Sequence, residues 1–398
     1  MIEVIKTGPW CFNVSMLGRI LILSSLILFA ASVQGVFADG PEPEMTADSD
    51  PNYSFIFLGD LHFDRPRHHD MEWVKENYPN DVRQIQNYCR VTEENTPSLF
   101  KSISTVLKQQ REAVFAILQA GDFVEGLCGR YQLQSLQFED AKTFVQEYFP
   151  HTLFLLTKGN HDITGPDADK AYQDTILPWL GSQLQRNVPQ SSYTVNYGGD
   201  LFVFFDAYNP DLDWLEATLE KSTARYTFLI LHKPVVPFNA RSNWHLFAEN
   251  KFRSERTRLL DVLGRHKVIV LCGHLHDYSL LSRKTPNGRF VQLSMGSVLS
   301  DRDMTAKHAL SGNENYTPDL VNFEPLFSPH SVDLRKQNLE NEKPEIEFFD
   351  YAQTAGYSRV RVYPDKVVVE IYLGASVRAW KTHDITALLN AGSSPAGH

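Results

Sequence analysis

Five short segments of this 398-residue chain carry side chains able to bind a metal ion or move a proton. They are Asp60-Leu61-His62, Gly121-Asp122, Gly159-Asn160-His161-Asp162, His232 and Gly273-His274-Leu275-His276. Each follows a short apolar run, at residues 55–58, 114–118, 153–156, 228–231 and 268–271. Singly, each has an ordinary explanation. Asp60 or Asp122 fits a turn or cap, and Asn160 and Asp162 are good loop formers. A lone histidine at a strand end is commonly structural. In order, they arm five strand ends with carboxylate, amide and imidazole groups, which points to a metal site. Imidazole suits Fe, Zn and Mn, while Asn and Asp add harder oxygen ligands. No thiolate joins the set, which argues against a structural zinc cage.

The elements that must position these groups are legible as alternating patterns. The five runs, with 201–205, read as buried strands. Residues 97–107 read as a helix with Pro97 in its first turn, and 138–149, 168–184, 212–219 and 256–263 as further helices. The alternation argues for an α/β architecture with a largely buried sheet. In such sheets sites form beyond the carboxyl ends of the strands, where glycine lets the backbone turn sharply. After residue 293 the rhythm changes. Residues 300–345 read as an irregular loop segment. Residues 357–363 and 367–373 read as two strands around a Pro364-Asp365 turn. An isolated hairpin is marginal in water, so this pair is expected to pack on the metal-bearing domain.

The order Asp-x-His, Gly-Asp, Gly-Asn-His-Asp, His, Gly-His-x-His resembles the calcineurin-like metallophosphoesterase superfamily over roughly residues 53–297. The resemblance implies an α/β fold: a four-layer sandwich of two mixed sheets flanked by helices, here with a C-terminal β extension. It implies that Asp60, His62 and His276 hold one metal ion, that Asn160, His232 and His274 hold a second, and that Asp122 bridges them. A shared carboxylate would reduce the repulsion between two cations about 3.5–4 Å apart. The expected cofactors are two divalent or mixed-valence ions (Fe, Mn or Zn). A water or hydroxide bound there would attack phosphorus in line. His161 would assist the leaving group and Asp162 would orient its ring. The purple acid phosphatase branch has a Tyr three residues after the Gly-Asp carboxylate and lacks the first-motif His. Here that position is Glu125 and His62 is present, so this branch is not expected.

The expected function is a phosphohydrolase acting on small phosphomonoesters or phosphodiesters. One alternative is a narrow phosphodiesterase for cyclic nucleotides or lipid headgroups. Another is a non-catalytic binding protein on the same fold, which a missing ligand would favour; none is missing. With 38 Lys plus Arg against 48 Asp plus Glu, the formal net charge is −10, which disfavours nucleic acid as a standing partner. Lys6 and Arg19 precede an apolar run at 20–31 and a small-residue pattern, Val36-Phe37-Ala38. This reads as a signal peptide over 1–38 and an exported protein, with an uncleaved membrane anchor as the alternative. Residues 39–52 read as a linker, 53–299 as the catalytic domain and 346–398 as the β extension. Cys272 reads as a buried strand thiol. Cys89 and Cys128 are the pair able to form a disulfide, if any does. His68, His69, Tyr208, Trp244 and His245 are weaker candidates to approach the site, with surface or packing roles favoured.

Overall fold

The computed structural model describes residues 53–325 and 331–391. The expected signal segment and linker lie outside the described residues. In chain order the first strands are β1 (Tyr53–Leu58), β2 (Ala113–Gln119), β3 (Leu153–Leu156), β4 (Tyr193–Tyr197), β5 (Asp200–Phe205), β6 (Thr227–Leu231) and β7 (Ile269–Cys272). They are followed by β8 (Tyr278–Thr285), β9 (Gly288–Ser294), β10 (Lys307–Ser311), β11 (Ile346–Gln353), β12 (Gly356–Val362), β13 (Val367–Leu373) and β14 (Lys381–Asp384). The early helices are α1 (Met71–Asn77), α2 (Val82–Glu94), α3 (Thr96–Gln109), α4 (Tyr131–Tyr148) and α5 (Ala168–Leu184). Later come α6 (Leu212–Lys221), α7 (Arg253–Arg265), α8 (Val332–Glu342) and α9 (Ile385–Asn390). Among the described residues no helix is long and apolar enough to cross a membrane.

The strands form two mixed sheets flanked by helices. One has the order β14-β13-β12-β1-β2-β3, the other β10-β11-β8-β9-β7-β6-β5-β4. All six residues of β1 are buried, as expected where both faces of a strand are covered. Between the sheets, Phe55 of β1 meets Phe202 of β5 and Phe228 of β6 edge-on, with ring centres 5.4 and 5.2 Å apart. The period-two alternation of β5 separates the layers. Phe202 and Phe204 join the core between the sheets, while Leu201, Val203 and Phe205 join a second cluster with Leu215 of α6 and Leu259 of α7. Leu99 and Ile103 of α3 and Phe138 of α4 belong to the first cluster.

Several elements differ from the sequence expectation. The α4 helix begins at Tyr131, two turns before the apolar periodicity starts, because Gln134 and Gln137 fill buried positions that read as polar. The segment 300–345 is not uniformly irregular: it holds β10 and α8. The α8 helix has no apolar stripe; its fully buried residue of largest volume is Arg335. The C-terminal strands are not an appendage. β12 runs antiparallel to β1 from Tyr53↔Val362 to Phe57↔Ser358, so it completes the backbone pairing of the strand that leads into the first motif. Cys89, Cys128 and Cys272 are all free thiols. Cys89 Sγ donates to Asp64 Oδ2 (3.3 Å) and Cys128 Sγ to Gln137 Oε1 (3.4 Å), so no disulfide joins them.

Asp350 of β11 also ties the two sheets. Its carboxylate accepts from Lys381 Nζ of β14 (2.6 Å) and from the Tyr278 hydroxyl (2.7 Å). Burial alone would raise its pKa, but His383, Lys381 and Tyr278 bring it down to about 2. A depressed carboxylate stabilises the fold above its ordinary pKa and loses that contribution as pH falls through about 2. After discounting for the part-exposed lysine, we predict that Asp350→Asn lowers stability at neutral pH by on the order of 1–2 kcal/mol. The loss should shrink toward pH 3 in denaturant titrations, and a pH-independent difference would contradict it. Ending the chain at Gln353 is a harsher test, since it strips β12–β14 from β1. We expect insoluble protein or no cooperative melting transition; a truncated chain with the full-length melting temperature would show these strands to be dispensable.

Candidate metal centre

The first motif leaves β1 through Gly59. A Cβ added there would lie 1.6 Å from the Met295 carbonyl oxygen, so only glycine lets the two strand ends approach. The backbone N–H groups of Leu61 and His62 both donate to the Asp122 carbonyl at 3.0 Å, which locks the first motif to the second. His62, Asp122, His274 and His276 all have φ between 45° and 71°. This left-handed backbone is uncommon for residues with a Cβ and costs on the order of 1–3 kcal/mol each. Four of the seven expected ligands are thus held in conformations that their surroundings must enforce. β1, β2 and β3 come from one sheet, β6 and β7 from the other, and the motifs meet where the carboxyl ends of the two sets converge.

The structure brings all seven expected ligands together. Donor atoms of Asp60, His62, Asp122 and His276 lie within 4.8 Å of one another, as do those of Asp122, His232 and His274. Asp122 belongs to both groups. Asn160 Oδ1 joins the second group, 3.1 Å from His232 Nε2. His232 Nδ1 lies 2.8 Å from the Ala120 carbonyl. A carbonyl only accepts, so Nδ1 carries the proton and Nε2 points its lone pair at the cluster. His62 Nδ1 donates likewise to Glu125 Oε2 at 2.6 Å. Its Nε2 then faces His276 Nε2 at only 3.1 Å. At that distance the two nitrogens share a proton or a cation.

The charges make the same demand. Burial raises the Asp60 carboxyl to about 6. Burial would also raise Asp122, but His232 and the other imidazoles hold it well below the carboxylate range. Burial and neighbouring positive groups push His274 and His276 well below the usual imidazole value, leaving them neutral. Burial would lower His232 too, yet Asp122 and Asp60 raise it to about 9. The pocket therefore draws in positive charge, and a cation that displaces the His232 proton would meet nitrogen and carboxylate oxygen donors. That donor set fits Fe, Zn or Mn.

His161 stands at the edge of the cluster. Its backbone N–H donates to Asp122 Oδ1 at 2.7 Å, and its Nδ1 donates to the Glu125 carbonyl at 2.8 Å. Burial would lower its pKa, but Glu125 and Asp122 raise it to about 9, so it is an imidazolium at neutral pH. Asp162 does not orient this ring. Its two oxygens accept from the backbone N–H groups of Val124 (3.1 Å) and Gly159 (2.8 Å), which clamps the second and third motif loops together. Consecutive residues of the 3₁₀ turn His161–Ile163 point apart, so the neighbouring carboxylate cannot reach the ring. Glu125 takes that place: Oε2 lies 2.6 Å from His62 Nδ1 and 3.3 Å from His161 Nδ1, while Oε1 accepts from Gln84 at 2.9 Å. Its sequence signal was an acidic residue three positions after Asp122, read there only as the absence of tyrosine.

Of the weaker candidates, Tyr208 does reach the site, donating its hydroxyl to Asn160 Oδ1 at 2.9 Å. The Trp244 ring lies 5.6 Å from that of His274. His245 is buried beside the cavity and spends Nδ1 on the Ser242 carbonyl. His68 and His69 turn to Asp140 and Asp64 instead. Tyr88, stacked on His62 at 4.3 Å, gave no signal in the sequence. His161, His274, His276, Tyr208 and Trp244 line one open cavity of about 1120 Å³.

The profile of the calcineurin-like phosphoesterase family matches residues 53–278. The chain belongs to this family. Its Asp and His clusters are metal-competent. A probable cyclic nucleotide phosphodiesterase of Ruthia magnifica subsp. Calyptogena magnifica is 29% identical over 150 residues, covering 36% of this chain. The chain spans 57% of the length of that curated relative. Among solved structures, a dimetal phosphatase from Danio rerio is 14% identical with a TM-score of 0.48, covering 84% of this chain and 99% of that one. A purple acid phosphatase from yellow lupin (Lupinus luteus) is 10% identical with a TM-score of 0.47, covering 87% and 54%.

In this calcineurin-like phosphoesterase Glu125 touches two rings at once. We predict that Glu125→Gln lowers metal affinity by about 10–100-fold through His62. It should also lower kcat most for esters with poor leaving groups, through His161. Metal titration and turnover of activated and unactivated esters measure both, and wild-type values for each would remove the positioning role.

Proposed function

We propose that this phosphoesterase hydrolyses small phosphomonoesters or phosphodiesters at a dinuclear centre. Asp60, His62 and His276 would hold one ion, Asn160, His232 and His274 the other, with Asp122 shared. The observation that carries this reading is the membership of Asp122 in both donor groups. Bound ions supply Lewis acidity toward phosphoryl oxygens and lower the pKa of a water for in-line attack. The chain's own residues do the rest. His161 gives its proton to the departing oxygen, held in line by its Nδ1 bond to the Glu125 carbonyl. Tyr208 fixes the Asn160 amide so that its oxygen faces His232. Asp162 keeps the second and third motif loops in register.

Glu125 in place of a tyrosine, together with His62, supports a place outside the purple acid phosphatase branch. Iron, manganese and zinc all suit the donors. The named activity of the bacterial relative favours a cyclic phosphodiester as one member of the substrate class. The charged start, the apolar run at 20–31 and Val36-Phe37-Ala38 support export after signal cleavage, with an uncleaved anchor as the second reading.

Metal analysis of the purified protein, combined with hydrolysis of a generic monoester and a generic diester, tests the proposal. Asp122→Asn should lose more metal and more turnover than His62→Ala, because one charge serves both ions. Full metal content with normal turnover in Asp122→Asn would sink the shared-ligand assignment.

A further inference from the structure

Residues outside the family region brace a loop that lines the cavity. Arg241 and Trp244, from the loop that follows β6, line the cavity together with His274 and His276. The Arg241 guanidinium lies 5.6 Å from the centre of the Trp244 ring, and that ring lies 5.6 Å from His274. The cation therefore shares one cavity with the candidate metal ligands. Glu324 grips it by two bonds, Nε to Oε2 at 2.8 Å and Nη2 to Oε1 at 3.3 Å. Such a fork fixes the plane of the guanidinium as well as its position.

Glu324 is itself held. Arg335 of α8 is fully buried. Its Nη1 donates to the carbonyls of Ala240 (2.9 Å) and Glu324 (3.2 Å), and its Nη2 to that of Pro325 (2.9 Å). One buried cation thus staples the backbone just before Arg241 to the backbone of its partner. Ser242 Oγ returns a bond to the Arg335 carbonyl at 2.6 Å. These three bonds tie both loops to one buried side chain, although its Nε finds no hydrogen-bond partner among the described residues. From below, Asn239 Oδ1 accepts the Arg241 N–H at 2.9 Å, and Asn239 Nδ2 donates to Asp277 Oδ2 at 2.8 Å, beside His276. Both the backbone and the side chain of Arg241 are anchored, one toward the candidate ligands and one toward a segment beyond the family region, which ends at residue 278.

We propose that Arg241, positioned by Glu324 and Arg335, pairs with a charged phosphoryl oxygen and selects dianionic phosphomonoesters over monoanionic phosphodiesters. This rests on the phosphoester-hydrolysis reading of the same site. At neutral pH a monoester carries close to two negative charges on three non-bridging oxygens. A diester carries one charge on two such oxygens, and its second ester group offers a fixed cation nothing comparable. A preoriented guanidinium therefore gains more from the monoester. Lys233, Arg83 and Glu249 line the same cavity. Arg241 is the specificity residue; Glu324 and Arg335 are positioning residues.

The test uses the full chain with its metals and two chromogenic esters that share one leaving group, p-nitrophenyl phosphate and bis-p-nitrophenyl phosphate. Inorganic phosphate serves as the inhibitor probe. Glu324→Gln and Arg241→Gln should each raise KM for the monoester, and Ki for phosphate, by about tenfold or more. The diester KM should change less than about threefold. The double variant should be no worse than Arg241→Gln, because Glu324 acts through that residue. A merely structural defect changes both esters alike, so equal shifts in KM overturn the proposal, as does a wild-type enzyme that binds the diester more tightly. If Glu324→Gln does not fold, Arg241→Gln decides the question by itself. Failure of the metal-loaded wild type to hydrolyse either ester removes the phosphohydrolase reading instead.

Discussion

Asp60 and Asp122 are buried side by side among four imidazoles, and the rest of the architecture answers that one constraint. Two carboxylates in a dry interior repel each other and lack the water that would solvate them. The neighbouring nitrogens relieve this only by binding positive charge. Two of them, in His62 and His232, have their outer positions fixed by Glu125 and the Ala120 carbonyl, so their Nε2 atoms point inward. The cluster is therefore built to accept cations, and its chemistry as a phosphoesterase follows from what such cations do to phosphoryl oxygens.

Holding donors at such distances requires a rigid frame. The frame is backbone-based: left-handed turns at His62, Asp122, His274 and His276, and paired amides on the Asp122 carbonyl. Side chains reinforce it. Asp162 joins two motif loops through their N–H groups, and Glu125 joins the His62 ring to the His161 ring. The strain of those turns is borne by the packed strands beneath them. Stability and function are thus coupled through the same hydrogen bonds.

The ligands come from both sheets, so the site exists only when the sheets are docked. Phe55 against Phe202 and Phe228 is part of that contact. The C-terminal strands matter for the same reason, since β12 pairs with the strand that delivers Asp60 and His62. Segments outside the family region do more than fill space: β12 pairs with β1, and the segment bearing Glu324 and Arg335 braces the loop of Arg241.

The sequence by itself determined the α/β alternation and the seven candidate ligands, because short apolar runs followed by Gly, Asp, Asn and His are local signals. Two open questions turned on contacts that are not local. Asp162 looked like the partner of His161 because it is adjacent in the chain, but a tight turn points neighbours apart, and Glu125 arrives from another loop. Cys89 and Cys128 looked able to pair, yet each thiol found an oxygen partner elsewhere. The buried Arg335 left no trace in periodicity, and the strand at 357–363 was legible but its partner β1 was not. Polar side chains at buried positions look like surface in a sequence, and only the tertiary structure shows which carbonyls and carboxylates satisfy them.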